Sequence, residues 1–353
     1  MGPDCPHLQG VKQVFVVPDG ELNLVSFSAL PVGQSAYLVE SNFVIHHLSA
    51  ERDLVPAAAS ALKGEGLLAL GNPAFDATML LAASVPESRR PDRADSTQGK
   101  ASYAYRGERS NCGDFQAMRF EPLPASAREV EEIASFWKKG KTALDIISLT
   151  EAKANETAFK TQAPGRRVLH LATHGYFLGG RCPSALASPR GVGGVVSAKR
   201  EEPETVTSEN PLLLSGLVLA GANHRTKAGP EEDDGILTAE EIAAMNLSGV
   251  EWAVLSACET GVGKVEAGEG VFGLRRAFQV AGARTLIMSL WSVEDEAARQ
   301  WMAALYEGRL LKGLGTAESV CAASLEVLRS RREKGQSTHP FYWAAFVAAG
   351  DWR

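Results

Sequence analysis

From Val168 onward the chain alternates unbroken apolar runs with helical stretches, and that alternation leaves few folds open. Val168 to Ala172, Gly216 to Ala220, Trp252 to Ala257, Arg284 to Leu290 and Trp343 to Ala348 read as strands. Helical periodicity fills about Gly270 to Val280 and Ala317 to Arg331. Strands that are apolar at every position need cover on both faces, which predicts an α/β fold around a mostly parallel sheet. Upstream, Val14 to Val17 ends at the turn Pro18-Asp19-Gly20, Phe43 to Ile45 is a second short strand, and Leu67 to Leu70 stops at Gly71-Asn72-Pro73. Ser126 and Glu129 have capping-box spacing ahead of Val130, Ile133, Ala134 and Trp137, so a helix is expected to begin there. Thr150, Lys153, Thr157 and Phe159 suggest another before Pro164. The expected organisation is an N-terminal β-containing part over 1–65 and a core over 66–353. Polar, aperiodic inserts interrupt that core at about 85–119 and 179–210.

Composition narrows the function classes. Of 353 residues, 45% are hydrophobic, and 36 Lys and Arg against 42 Asp and Glu leave a net charge of −6. That balance argues against nucleic acid as a partner, which selects for a basic excess. The longest uncharged apolar run, Pro211 to Asn223, is too short to cross a bilayer. Met1 to Cys5 has neither the basic start nor the apolar stretch of a signal peptide. A cytoplasmic protein without a membrane partner is expected. The five cysteines (Cys5, Cys112, Cys182, Cys258 and Cys321) form no C-x-x-C pair, so no zinc knuckle, redox pair or disulfide framework can be drawn. No metal or other cofactor is assigned.

Ligands of open parallel sheets sit beyond the C-terminal ends of the strands. Two such ends carry reactive side chains. One strand runs through Leu169-His170-Leu171-Ala172-Thr173 into His174-Gly175, and another through Val254-Leu255-Ser256-Ala257 into Cys258-Glu259-Thr260-Gly261. A thiol and an imidazole at neighbouring strand ends could form a nucleophile and acid/base pair, because the thiolate is already a strong nucleophile near neutral pH. The Gly175 and Cys258 N–H groups could then stabilise an oxyanion. The alternative is a buried thiol and a loop histidine with its hydrogen bonds met.

Three other features have structural readings. His170 and His174 have a metal-like spacing, but in a strand they lie over about 13 Å apart, so His170 reads as a core histidine. Gly268-Glu269-Gly270-Val271-Phe272-Gly273 spells G-x-G-x-x-G, yet it does not directly follow a strand. It reads as a loop entering a helix, with Gly273 permitting close packing. Asp295, past the strand end Ser289-Leu290, is either a helix N-cap or the acidic wall of a pocket.

The segments VFVVPDGELNLVSFSALP, LLALGNPAF, VLHLATHGYF, GILTAEEI, WAVLSACETGVG, EGVFGLRRAFQVAGARTLIMSLWSV and HPFYWAAFVAAGD resemble the CHAT family of caspase-like, separase-related cysteine peptidases. The resemblance runs from about residue 8 to 352. It implies a caspase-like three-layer α/β/α sandwich and a Cys-His dyad, with His174 matching the H-G histidine and Cys258 the S-A-C-E-T-G cysteine. The implied activity is a cysteine endopeptidase acting on a specific protein substrate, with Gly175 and Cys258 as oxyanion hole. Asp295 falls where separases carry an acidic residue that contacts a basic P1 side chain. CHAT domains usually follow helical repeats; none precedes this one, so a separate helical-repeat regulator, or a split chain, is implied. With a basic P1, Arg89-Arg90 and Lys199-Arg200 become candidate self-cleavage sites. A non-catalytic peptide-binding module on the same fold is the rival reading.

Overall fold

The computed structural model describes residues 10–55, 63–78, 113–140, 145–178, 211–229, 232–256, 258–259 and 267–353. The candidate self-cleavage sites, the insert at 179–210 and Cys5, Cys112 and Cys182 lie outside them. The first half supplies β1 (Gln13–Val16), the hairpin β2 (Pro31–Val32) and β3 (Ala36–Tyr37), β4 (Val44–His47), β5 (Glu65–Pro73), α1 (Gly113–Ala117), α2 (Pro124–Lys139) and β6 (Ile146–Glu151). Next come α3 (Glu156–Gln162), β7 (Arg166–Ala172), β8 (His174–Phe177), β9 (Ser215–Val218), β10 (Ile236–Thr238) and α4 (Ala239–Ala243). The last third holds β11 (Trp252–Leu255), β12 (Cys258–Glu259), α5 (Ala267–Ala281), β13 (Thr285–Ser289), α6 (Asp295–Leu310), α7 (Thr316–Glu333) and β14 (Phe346–Gly350).

Eight strands form one sheet in the order β1-β4-β14-β13-β11-β7-β5-β6. Every pairing in it is parallel except β13 with β14. The strands read as continuous apolar runs because alternate side chains feed two different cores. Leu68, Leu70, Leu169, Leu171 and Leu255 face Phe159 of α3, Ile242 of α4 and Phe278 of α5. Leu67, Ala69, Val168, Trp252 and Val254 face Ile133 and Trp137 of α2, Trp301 and Leu305 of α6 and Leu328 of α7. The expected three-layer α/β/α sandwich with a mostly parallel sheet is therefore what the chain forms. No helix among the described residues is long and apolar enough to cross a membrane.

Several local expectations are corrected. Thr150 belongs to a strand, β6, and the helix after it begins only at Glu156, where Asn155 accepts from the Ala158 N–H at 2.9 Å. The Ser126–Glu129 capping box does not form, because both side chains are recruited by the sheet. Ser126 Oγ accepts from Asn72 N–H and Glu129 turns inward to His170, while α2 starts earlier at Pro124. The strand expected at 216–220 is β9, which joins a second sheet, and the last strand is antiparallel to its neighbour β13. The described end of the first insert is not an exposed loop either: residues 113–117 are helical and Phe115 is buried. Gly268 to Gly273 lie inside α5 rather than in a loop. Gly273 does allow close approach, since a Cβ there would stand 2.4 Å from Ser215 Oγ.

Candidate functional site

The second sheet, β10-β9-β8-β12, grows out of the C-terminal end of the first. β7 and β11 are parallel neighbours in the large sheet, with Leu171 opposite Leu255. Each then leaves it through a short link and pairs again as β8 and β12, with His174 opposite Cys258 and Glu259 opposite Gly175. The register is the same in both sheets, three residues further on. Apolar pairing in the core thus sets which residues meet at the site, because a one-residue slip would move every side chain to the wrong face. Neighbouring strands lie about 4.8 Å apart, so the backbone at Cys258 stands one strand spacing from that at His174. Thr173, wholly buried at the crossing, donates to the Val218 carbonyl of β9 and anchors the path of the chain there.

His174 is 1% exposed and tightly held. Its ring stacks on Phe75 at 5.1 Å and packs beside Phe120 at 5.9 Å. Nε2 lies 2.7 Å from the Glu121 carbonyl. A carbonyl only accepts, so Nε2 is assigned the hydrogen, and the lone pair of the neutral ring belongs to Nδ1. The Nε2 hydrogen bond and the two aromatic rings together fix the orientation of the imidazole.

The segment that supplies this carbonyl is itself clamped. Asn223 accepts from the Phe120 N–H at 2.9 Å and donates to the Phe120 carbonyl at 3.0 Å. Arg225, buried, donates to the Phe115 and Met118 carbonyls and lies over the Phe115 and Phe120 rings at 4.9 and 5.6 Å. Burial lowers the Arg225 pKa below the ordinary arginine value. None of these four supporting groups, Phe75, Glu121, Asn223 and Arg225, was singled out from the sequence. Phe75 lies in the GNPAF motif that the family resemblance rests on, whereas a backbone carbonyl has no residue-type signature.

Asp295 is the first residue of α6, behind the N-cap Glu294, so it does not cap its own helix. Its Oδ2 accepts from the Ala125 N–H of α2 at 2.8 Å, capping a different helix across the site. Burial raises its pKa above the usual aspartate value, against the opposing pull of the Ala125 N–H. Only residues 122–124 separate the backbone group holding His174 from the one holding Asp295. His170 is the core histidine expected: it is fully buried, with Nε2 2.8 Å from Glu129 Oε1 and Nδ1 3.2 Å from the Tyr306 hydroxyl.

Comparison with known families decides the lineage. The chain matches the CHAT domain over residues 3–351. It belongs to the CHAT domain family. The CHAT domain is also 22% identical over 339 residues to tetratricopeptide repeat protein 28 of Homo sapiens and to that of Mus musculus. These alignments cover 96% of this chain but only 12% of either relative. Among solved structures, the Arg-specific cysteine proteinase gingipain R aligns at TM-score 0.46 and 9% identity, over 91% of this CHAT domain and 56% of that chain. The Saccharomyces cerevisiae separase–securin complex aligns at TM-score 0.45 and 11% identity, over 95% of this chain and 15% of that one.

Proposed function

We propose that this CHAT domain is a cysteine endopeptidase in which Cys258 is the nucleophile and His174 its acid/base partner. The observation that carries the reading is the register of β8 with β12, which sets these two residues opposite each other at the exits of adjacent core strands. His174 takes the Cys258 thiol proton as Sγ attacks the scissile carbonyl carbon, and the oxyanion is received by the Gly175 and Cys258 N–H groups. The protonated His174 then gives its proton to the leaving amine as the C–N bond breaks, leaving a thioester. Water, deprotonated by the same imidazole, hydrolyses the thioester and frees the thiol.

Asp295 is the proposed P1 determinant: a carboxylate held at the same edge of the sheet selects Arg or Lys. The substrate is a protein, and control is assigned to a partner. The curated relatives are tetratricopeptide repeat proteins by name, which supports a helical-repeat regulator acting on this domain. The test is labelling with peptidyl electrophiles that differ only at P1. Wild type is expected to be modified at Cys258, faster with P1 Arg or Lys than with Leu or Asp, and His174→Ala to slow labelling at least tenfold. Asp295→Asn should erase the P1 preference while leaving labelling by a P1-Leu probe intact. Absence of selective labelling, with and without a repeat-protein partner, would assign the fold to peptide binding instead.

A further inference from the structure

A cleft of about 770 Å³ opens where α5 meets the turn at Pro18–Asn23 and the residues after β4. Arg52, Arg275 and Arg276 line it together with Asp19, Asn23, Ser49 and Gln279. Arg275 is the unusual member. It is 7% exposed, yet among the described residues its guanidinium donates to neutral groups, Asn23 Oδ1 at 3.1 Å and Ser49 Oγ at 2.8 Å. No carboxylate lies within ion-pair distance of Arg275, Arg276 or Arg52 among the described residues. Two carboxylates stand nearby and bond to backbone: Asp53 Oδ2 accepts from the Ser49 and Ala50 N–H groups, and Oδ1 of Asp19, which also lines the cleft, accepts from that of Gly20. Burial lowers the Arg275 pKa, and the charge of Asp53, beyond ion-pair distance, opposes that shift only in part.

We propose that this cleft is a binding site for a small phosphorylated ligand, with Arg275 at its floor and Arg52 and Arg276 at its rim. Three guanidinium groups suit a phosphoryl group better than a lone carboxylate, because each can engage a different oxygen and the planar fork matches O–P–O geometry. The volume falls within the usual range for small-molecule sites, about 300–1,000 Å³. The site stands apart from the proposed dyad, and the helix at its floor also packs against the second sheet. α5 carries Arg275 and Arg276, begins shortly after Cys258, and packs Gly273 against Ser215 of β9. A ligand that neutralises Arg275 therefore also steadies the helix lying against the second sheet.

Calorimetric titration of the whole protein with inorganic pyrophosphate at fixed ionic strength tests the assignment, with sodium chloride as the control. One saturable site is expected, and Arg52→Ala/Arg276→Ala, which alters only exposed side chains, should weaken it at least tenfold. Arg275→Lys should weaken it as much, because an ammonium cannot reproduce the fork. If Arg275→Lys does not fold, the rim double variant decides alone. No saturable binding, or equal binding by wild type and the rim variant, overturns the proposal. Neither result depends on peptidase activity.

Discussion

Asn223→Ala separates a structural clamp from a catalytic one. The substitution removes two hydrogen bonds to the Phe120 backbone, at 2.9 and 3.0 Å, and one exposed bond to Asp76 at 3.0 Å. A net hydrogen bond contributes about 1 kcal/mol, and a half-buried backbone group left unmet costs about 1–3 kcal/mol. The expected loss of stability is about 2–4 kcal/mol, measured as a shift in urea midpoint at constant m-value. The Asp76 bond adds little, so Asp76→Ala should cost under about 1 kcal/mol. The functional consequence is larger in relative terms. Phe120 precedes Glu121, whose carbonyl orients His174, and a displacement near 1 Å in such a group lowers rates by about 100-fold. The second-order rate of Cys258 alkylation by iodoacetamide, followed from pH 5 to pH 9, reads this directly. Wild type is expected to hold its rate well below the ordinary thiol pKa, and Asn223→Ala to lose that plateau. An Asn223→Ala protein that is destabilised as stated, yet keeps the wild-type pH profile under conditions where it is folded, would refute the clamp.

Other perturbations follow from packing and titration. Gly71→Ala places a Cβ 2.6 Å from the Ser126 carbonyl and 2.7 Å from Val130 Cγ2, so α2 must move off β5; a loss of about 1–3 kcal/mol in urea unfolding is expected. Trp301→Ala empties the space between α6 and the sheet, where the indole stacks on Phe346 at 4.6 Å and donates to Ser324 at 3.1 Å; calorimetry should show a loss of about 3–5 kcal/mol. His46 and His47 of β4 are both lowered to about 4, chiefly by burial. Protons therefore bind the unfolded chain first as pH falls. The stability that these imidazoles contribute is complete above pH 6.5 and drains away between pH 6.5 and about 4, by roughly 3 kcal/mol for each taken alone. Urea midpoints that stay flat over that window would contradict it.

What the sequence disclosed tracks how far each side chain serves a repeating environment. β5, β7, β11 and β13 are apolar at consecutive positions because both faces of the sheet are covered, so their existence and their parallel order were legible. β6 was not: it lies at the edge of the sheet, and Ile146-Ile147-Ser148-Leu149-Thr150 mixes burial with exposure. Ser126 and Glu129 misled because local spacing cannot show that Asn72 and His170, distant in sequence, compete for the same side chains. At the site, His174 and Cys258 stood out as reactive groups at strand exits. The carbonyl of Glu121 and the grip of Asn223 on Phe120 are tertiary facts that no local pattern encodes. Asp295 shows the intermediate case: its place past a strand end was readable, but which helix it caps was not.

The common register of the two sheets has a consequence for how this chain can change. Between Leu171 and His174, and between Leu255 and Cys258, equal numbers of residues separate a core pair from a site pair. The two links therefore behave like a pair of matched spacers. Adding or deleting one residue in either alone would leave the hydrophobic ladder intact and folded, yet set Cys258 beside the wrong partner. The same change made in both links at once restores the match. The lengths of these two connections therefore constrain each other: either can change only if the other changes with it for Cys258 to stay opposite His174.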